Sequence, residues 1–193
     1  MDVFERMGRS SNTVALAEVL DKDGLIGSEY FASSYDPHIW FNIEYWKQIT
    51  SYLADELGKI DPKNADFFEK NKLAYLEQLD QLEKEVRQTI ATLPEDKRVL
   101  VTAHDAFSYF GKEYGFEVVG LQGLSTATEA GVQDVQNLAD LIIDKQVKAI
   151  FVETSVPKRT IEALQQAVIA QGFDTQIGGT LYSDALGNAG TDE

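Results

Sequence analysis

The stretch VLVTAHDAFSYFG, residues 99–111, decides how the chain is read. Val99 to Ala103 are β-branched, apolar or small and carry no charge, which predicts a buried strand. His104 stands at its exit, followed by Asp105 and an aromatic-rich segment predicted to be helical over 107–114. In open α/β sheets that exit edge is where ligands are met. Towards the C-terminus the rhythm repeats. FEVVGLQ (116–122) and KAIFVET (148–154) read as strands, and TQIGGTLYSDALG (175–187) holds a last strand and turn. Helical spacing fills 132–145 and 157–171 between them. This alternation predicts an α/β fold with a parallel sheet covered by helices.

Towards the N-terminus the pattern changes. TVALAEVL (13–20) reads as a strand. Trp40, Ile43, Trp46, Ile49 and Leu53 recur at three or four residues and predict a helix over 39–57. Asp61-Pro62 is a helix-start signal, an N-cap candidate with proline behind it. Leu73, Leu76, Leu79, Leu82, Val86, Ile90 and Leu93 then form an apolar stripe that Pro94 closes. About thirty residues at a rise of 1.5 Å span roughly 45 Å, more than the width of a small domain. Such a helix is a coiled-coil arm or a strut, and folded sequence on each side favours the strut. The expected organisation is residues 1–61, a linking helix over 62–93, and a second lobe over 94–193.

Composition limits the partners. Seventeen Lys and Arg against 32 Asp and Glu give a net charge of −15 over 193 residues. That disfavours nucleic acid and anionic membrane surfaces, which require clustered cations. The absence of cysteine removes disulfides, zinc-thiolate sites and thiol catalysis together. MDVFERMGRS does not read as a secretory signal, and no run approaches the ~20 apolar residues of a membrane span.

Parallel strands would bring His104, Gln122, Glu153 and Asp184 to one edge. The other histidine, His38 in YDPHIW, would complete the set if its segment faces the same crevice. Imidazole nitrogen with carboxylate oxygen suits a borderline divalent ion such as Zn²⁺, Mn²⁺ or Fe²⁺. These residues are too far apart in sequence to make a local ligand motif, and plainer readings stand beside this one. Asp-Pro before His38 also starts turns; Asp184 and Glu153 could each cap a helix. No G-x-S-x-G elbow, phosphate loop, G-x-G-x-x-G or H-E-x-x-H is present.

Four segments in order carry a resemblance. DPHIWFN, VTAHDAFSYFGKEYGFEVVGLQGLST, VQDVQNLADLIIDKQVKAIFVETSVPKRT and GGTLYSDALG are similar to the metal-receptor lipoproteins of bacterial zinc/manganese ABC transporters. The similarity runs from about Ser11 to Asn188. It implies a two-lobed α/β solute-binding protein with parallel sheets, one long linking helix over 62–93, and an N-terminal lobe that is incomplete here. In that family the ion lies between the lobes on four side chains, two from each. The resemblance maps His38, His104 and Asp184 onto three of them. The fourth, a histidine early in the N-terminal lobe, has no counterpart in this chain, which is expected to be cut at both ends. Asp36, Asp105 and Glu153 are the carboxylates placed to accept the other ring N–H of a ligating imidazole.

The function so implied is extracytoplasmic: a receptor, periplasmic or lipid-anchored in its full-length form, that carries zinc or manganese to an ABC permease without catalysis. Signal and anchor are not in this sequence. His at 104, where some manganese receptors carry Glu, leans towards zinc; the lack of a histidine-rich loop does not. The alternatives are a surface adhesin, or a metal-dependent hydrolase with Glu153 as base. An incomplete lobe would also expose strand edges that favour self-association.

Overall fold

The computed structural model describes residues 13–28, 35–124 and 130–187. It divides into two compact units, one of residues 1–25 with 42–85 and one of residues 26–41 with 86–193. No helix among the described residues is long and apolar enough to cross a membrane.

The first unit is helical. Helix α1 (Ile43–Ile60) opens on Asn42, whose Oδ1 accepts from Tyr45 N at 3.1 Å. Its predicted start at Ile39 is four residues early, because Ile39–Phe41 form a separate 3₁₀ turn. Helix α2 (Ala65–Ala91) follows a 3₁₀ turn at Pro62–Asn64. Asp61 caps no backbone amide there; its Oδ2 accepts from the Asn64 side chain at 2.7 Å. Lys47 ties α1 to α2 through Asp80 at 2.6 Å and Glu83 at 2.8 Å. Hydrogen bonds that its ammonium donates to Asp80, Glu44 and Glu83 hold it well above its ordinary pKa.

Two expectations fail in this unit. Residues 13–20 form no strand: Leu16–Val19 is a 3₁₀ turn that buries Leu20. The core of TVALAEVL is Ala-Leu-Ala-Glu, and Ala and Glu are depleted in strands. Nor is the stripe on α2 evenly packed. Leu79 is buried, whereas Leu73 and Leu82 are exposed. A step of three residues turns a helix by about 300°, so Leu73 swings about 120° away from Leu79, while Val86 and Ile90 return within about 20° of it.

The second unit carries the sheets. Strand β1 (Val99–His104) pairs in parallel with β2 (Glu117–Gln122), from Val99 opposite Glu117 to His104 opposite Gln122. Strand β3 (Ala149–Glu153) pairs in parallel with β4 (Gln176–Leu181), with a register irregularity between Ile150 and Phe151. Strands β1 and β3 lie side by side, yet no ladder joins them among the described residues. Helices α3 (Ser108–Tyr114), α4 (Val132–Asp144) and α5 (Arg159–Ala170) alternate with the strands. Gly115 and Gly172 end α3 and α5 at φ 74° and 86°, the left-handed backbone that glycine adopts without strain.

Alternation along the strands sorts the side chains. Val101, Ala103, Ile150 and Val152 enter the core, where Ile142 of α4 and Leu164 of α5 meet them. Thr102, His104 and Glu153 take the opposite face, all buried. Leu164 has no solvent exposure and Leu186 is 93% exposed, which gives an internal control. Leu164→Ala should lower the unfolding free energy in urea by about 2–5 kcal/mol. Leu186→Ala should stay within about 0.5 kcal/mol of the parent.

Candidate metal centre

His104 is fixed by the turn that ends β1. Its carbonyl accepts from Thr102 Oγ1 at 2.8 Å and from Ala106 N at 3.0 Å, while Asp105 N donates to Gln122 O at 3.0 Å. The last residue of β3 comes across the seam to meet it. Glu153 Oε1 accepts from His104 N at 2.9 Å, and Glu153 Oε2 lies 2.5 Å from His104 Nδ1. The second contact is an ion pair without the alignment of a full hydrogen bond. Neither residue is more than 2% exposed.

His38 is fixed in a parallel way. Asp36 Oδ1 accepts from His38 N at 2.9 Å and contacts His38 Nδ1 at 2.7 Å. The arm that carries both is fastened to the sheet unit by Tyr109 of α3. Its hydroxyl accepts from Ile26 N at 3.1 Å and donates to Asp36 O at 3.0 Å. Phe41 stacks on Phe107 with ring centroids 4.3 Å apart. The arm therefore belongs to the same unit as the sheets.

With each Nδ1 turned to a carboxylate, each Nε2 is left facing inwards, and Asp184 stands between them. Its Oδ1 is 3.4 Å from His38 Nε2 and its Oδ2 is 3.4 Å from His104 Nε2. One donor atom from each of the three residues lies within 4.8 Å of the others. A tetrahedral edge of 3.4 Å corresponds to donors about 2.1 Å from a central ion, the usual length of a zinc–imidazole bond. Among the described residues His104 Nε2 is buried without a hydrogen-bond partner, a costly state that a bound cation would relieve. Two imidazoles and a carboxylate form a donor set suited to a borderline divalent ion. The residues present fit such an ion.

Charge at the centre is set by burial and pairing together. Burial acts to lower the His104 pKa, but the Glu153 contact and charge, with smaller effects of Asp184 and Asp105, outweigh it and leave it raised. Burial acts to raise Glu153, but His104 and Ser183 hold its carboxyl below the usual value. Each charge thus favours the other, which raises the imidazole and lowers the carboxyl.

Other expected residues fall elsewhere. The Asp105 carboxylate accepts from Ser108 Oγ at 2.7 Å, and only its charge reaches His104. Gln122 is buried beside His104 in register and lies outside the three-residue cluster. Neither acidic residue serves as a cap: Glu153 is committed to His104, and Asp184 lies in bends with no helix described after them. Sequence reading missed Tyr109, Trp40 and Ser183. Trp40 Nε1 donates to Ser183 O at 2.8 Å across 143 residues, a separation that leaves no local signal.

The fold recurs in known proteins. Residues 2–193 match the family described as zinc-uptake complex component A, periplasmic (ZnuA). The manganese-binding lipoprotein MntA of Bacillus subtilis (strain 168) is 46% identical over 192 residues, covering 100% of this chain and 62% of its own length. The zinc-binding protein TroA of Treponema pallidum (strain Nichols) is 44% identical over 192 residues, with the same coverage of 100% and 62%. A solved structure of the periplasmic zinc binding protein TroA from Treponema pallidum superposes with a TM-score of 0.92, covering 98% of this chain and 68% of that one. The chain spans about 62% of the length of these curated relatives. It belongs to the family of zinc-uptake complex component A, periplasmic.

Proposed function

We propose that this chain is the metal-holding part of an extracytoplasmic receptor that binds zinc or manganese and delivers it to the permease of an ABC transporter. The observation that supports this best is the convergence of His38 Nε2, His104 Nε2 and the Asp184 carboxylate, with both nitrogen–oxygen separations at 3.4 Å. The ion is cargo. The residues hold it and later release it, so only coordination bonds are made and broken in the process. His38 and His104 supply nitrogen donors whose tautomer is fixed by Asp36 and Glu153. Asp184, with its side chain 35% exposed, supplies oxygen from the open side. The names of the relatives agree with this reading, one being manganese-binding and the other zinc-binding. The long helix, which passes from one unit into the other at residues 85 and 86, is read as the link between lobes.

His104→Ala should weaken zinc binding by more than about 100-fold, beyond the 10–100-fold typical of an outer partner. Competition against a chromogenic chelator measures this, and unchanged affinity would remove His104 from the assignment.

The same geometry couples capture to pH. A raised His104 pKa contributes stability that is complete below its ordinary 6.5 and is lost as pH rises through the raised value. A lowered Glu153 pKa contributes stability present above its ordinary 4.5 and lost as pH falls through the lowered value. The metal competes with the proton on His104, so zinc affinity should fall as the solution is acidified through that imidazole's titration. Glu153→Gln removes the charge that raises it. An NMR titration of the metal-free variant should then place His104 below its position in the parent.

A further inference from the structure

Asp184 lies beyond β4, in bends outside any described strand or helix, and its side chain is partly exposed. A carboxylate on such a segment would sample many positions, and ordering it on binding would lower affinity. Yet both of its oxygens stand at the same distance from two buried imidazoles. The residue before it accounts for this. Ser183 is 2% exposed and is held at two atoms. Its carbonyl accepts from Trp40 Nε1 at 2.8 Å, and its hydroxyl lies 2.7 Å from Ser155 Oγ.

These two anchors come from the two histidine arms. Trp40 stands two residues after His38, in the 3₁₀ turn Ile39–Phe41, and its ring meets the His38 ring edge-on at 5.2 Å. Ser155 stands two residues after Glu153, the partner of His104. A movement of either arm is thus transmitted to the main chain beside Asp184.

We infer that Trp40 is a positioning residue: its indole N–H, by holding the Ser183 carbonyl, aims the Asp184 carboxylate between His38 and His104. This rests on the metal-receptor reading above. The bond fixes the backbone and leaves the carboxylate free to bind. Trp40→Phe keeps an aromatic ring beside His38 and removes the donor, along with the second ring of the indole.

The test is a double-mutant cycle on zinc affinity with the parent chain, Trp40→Phe, Asp184→Asn and the double variant. Trp40→Phe should weaken zinc binding by about tenfold in the parent background. It should have no further effect once Asp184→Asn is present, because there is then no carboxylate to aim. Equal weakening in both backgrounds would show a general structural role and overturn the inference. So would unchanged affinity in Trp40→Phe while Asp184→Asn weakens binding, and in that case the receptor reading stands. If Asp184→Asn binds zinc as tightly as the parent, the assignment of Asp184 fails and the inference fails with it. A metal-free measurement tests the bond itself. The chain has two tryptophans, so the Trp40 indole proton is assigned by its loss in Trp40→Phe. It should exchange slowly with solvent before any metal is added; rapid exchange would overturn the clamp.

Discussion

One carboxylate closes the seam between two small sheets. Strands β1 and β3 lie side by side without a ladder, and the end of the gap is bridged by Glu153, which takes the main-chain N–H of His104 on one oxygen and faces the ring with the other. Parallel strands buried on both faces offer no water to their unpaired amides, so a donor left open at this point would be costly. A side chain that supplies the missing acceptor therefore belongs to the fold before it belongs to any site. The imidazole is oriented as a by-product of closing the sheet. With the spatial order β2, β1, β3, β4, this seam is the place where the strand order reverses, and such crevices are where α/β sheets receive ligands.

The second histidine repeats the device with different parts. Asp36 accepts from both the main-chain N–H and the ring of His38, using one oxygen for the two contacts. At each histidine a buried acid meets the backbone and the ring together, so neither imidazole can rotate without losing its contact with that acid. Among the described residues the arm that bears His38 forms no strand, only an isolated antiparallel bridge between Gly27 and Tyr35. Its rigidity is borrowed from Tyr109, whose hydroxyl is bonded to the main chain at Ile26 and at Asp36. Two rigid nitrogens and one carboxylate on a bend give a centre with fixed and adjustable members.

The legible and illegible parts of the chain divide along physical lines. Strands over 99–103, 116–122 and 148–154 are visible because buried parallel strands are uninterrupted apolar runs, and the intervening helices show their period. Residues 13–20 look similar and are not a strand, since a short apolar run with Ala and Glu at its centre has no fixed preference. Counting Trp40 into the following helix was an error of the same kind, as its spacing fits while Asn42 interrupts. The gathering of His104, Glu153 and Asp184 was expected from strand exits alone. His38 joins them in the sequence reading only on the condition that its segment faces the same crevice, because no rule of spacing joins an arm to a distant sheet. Contacts across 73, 83 and 143 residues, through Tyr109 and Trp40, carry no sequence signature at all.

The double duty of Glu153 sets what this centre can become. A residue that both seals a seam and governs the acidity of an imidazole can be exchanged only within narrow limits. Gln would keep an acceptor and lose the charge; Asp would be too short for both contacts. Position 184 is under no such bond. The chain there is held through the carbonyl and hydroxyl of its neighbour, and its own side chain faces the two imidazoles. On the metal-receptor proposal, then, a substitution at 184 would change the donor set and leave the seam closed by Glu153 as it is.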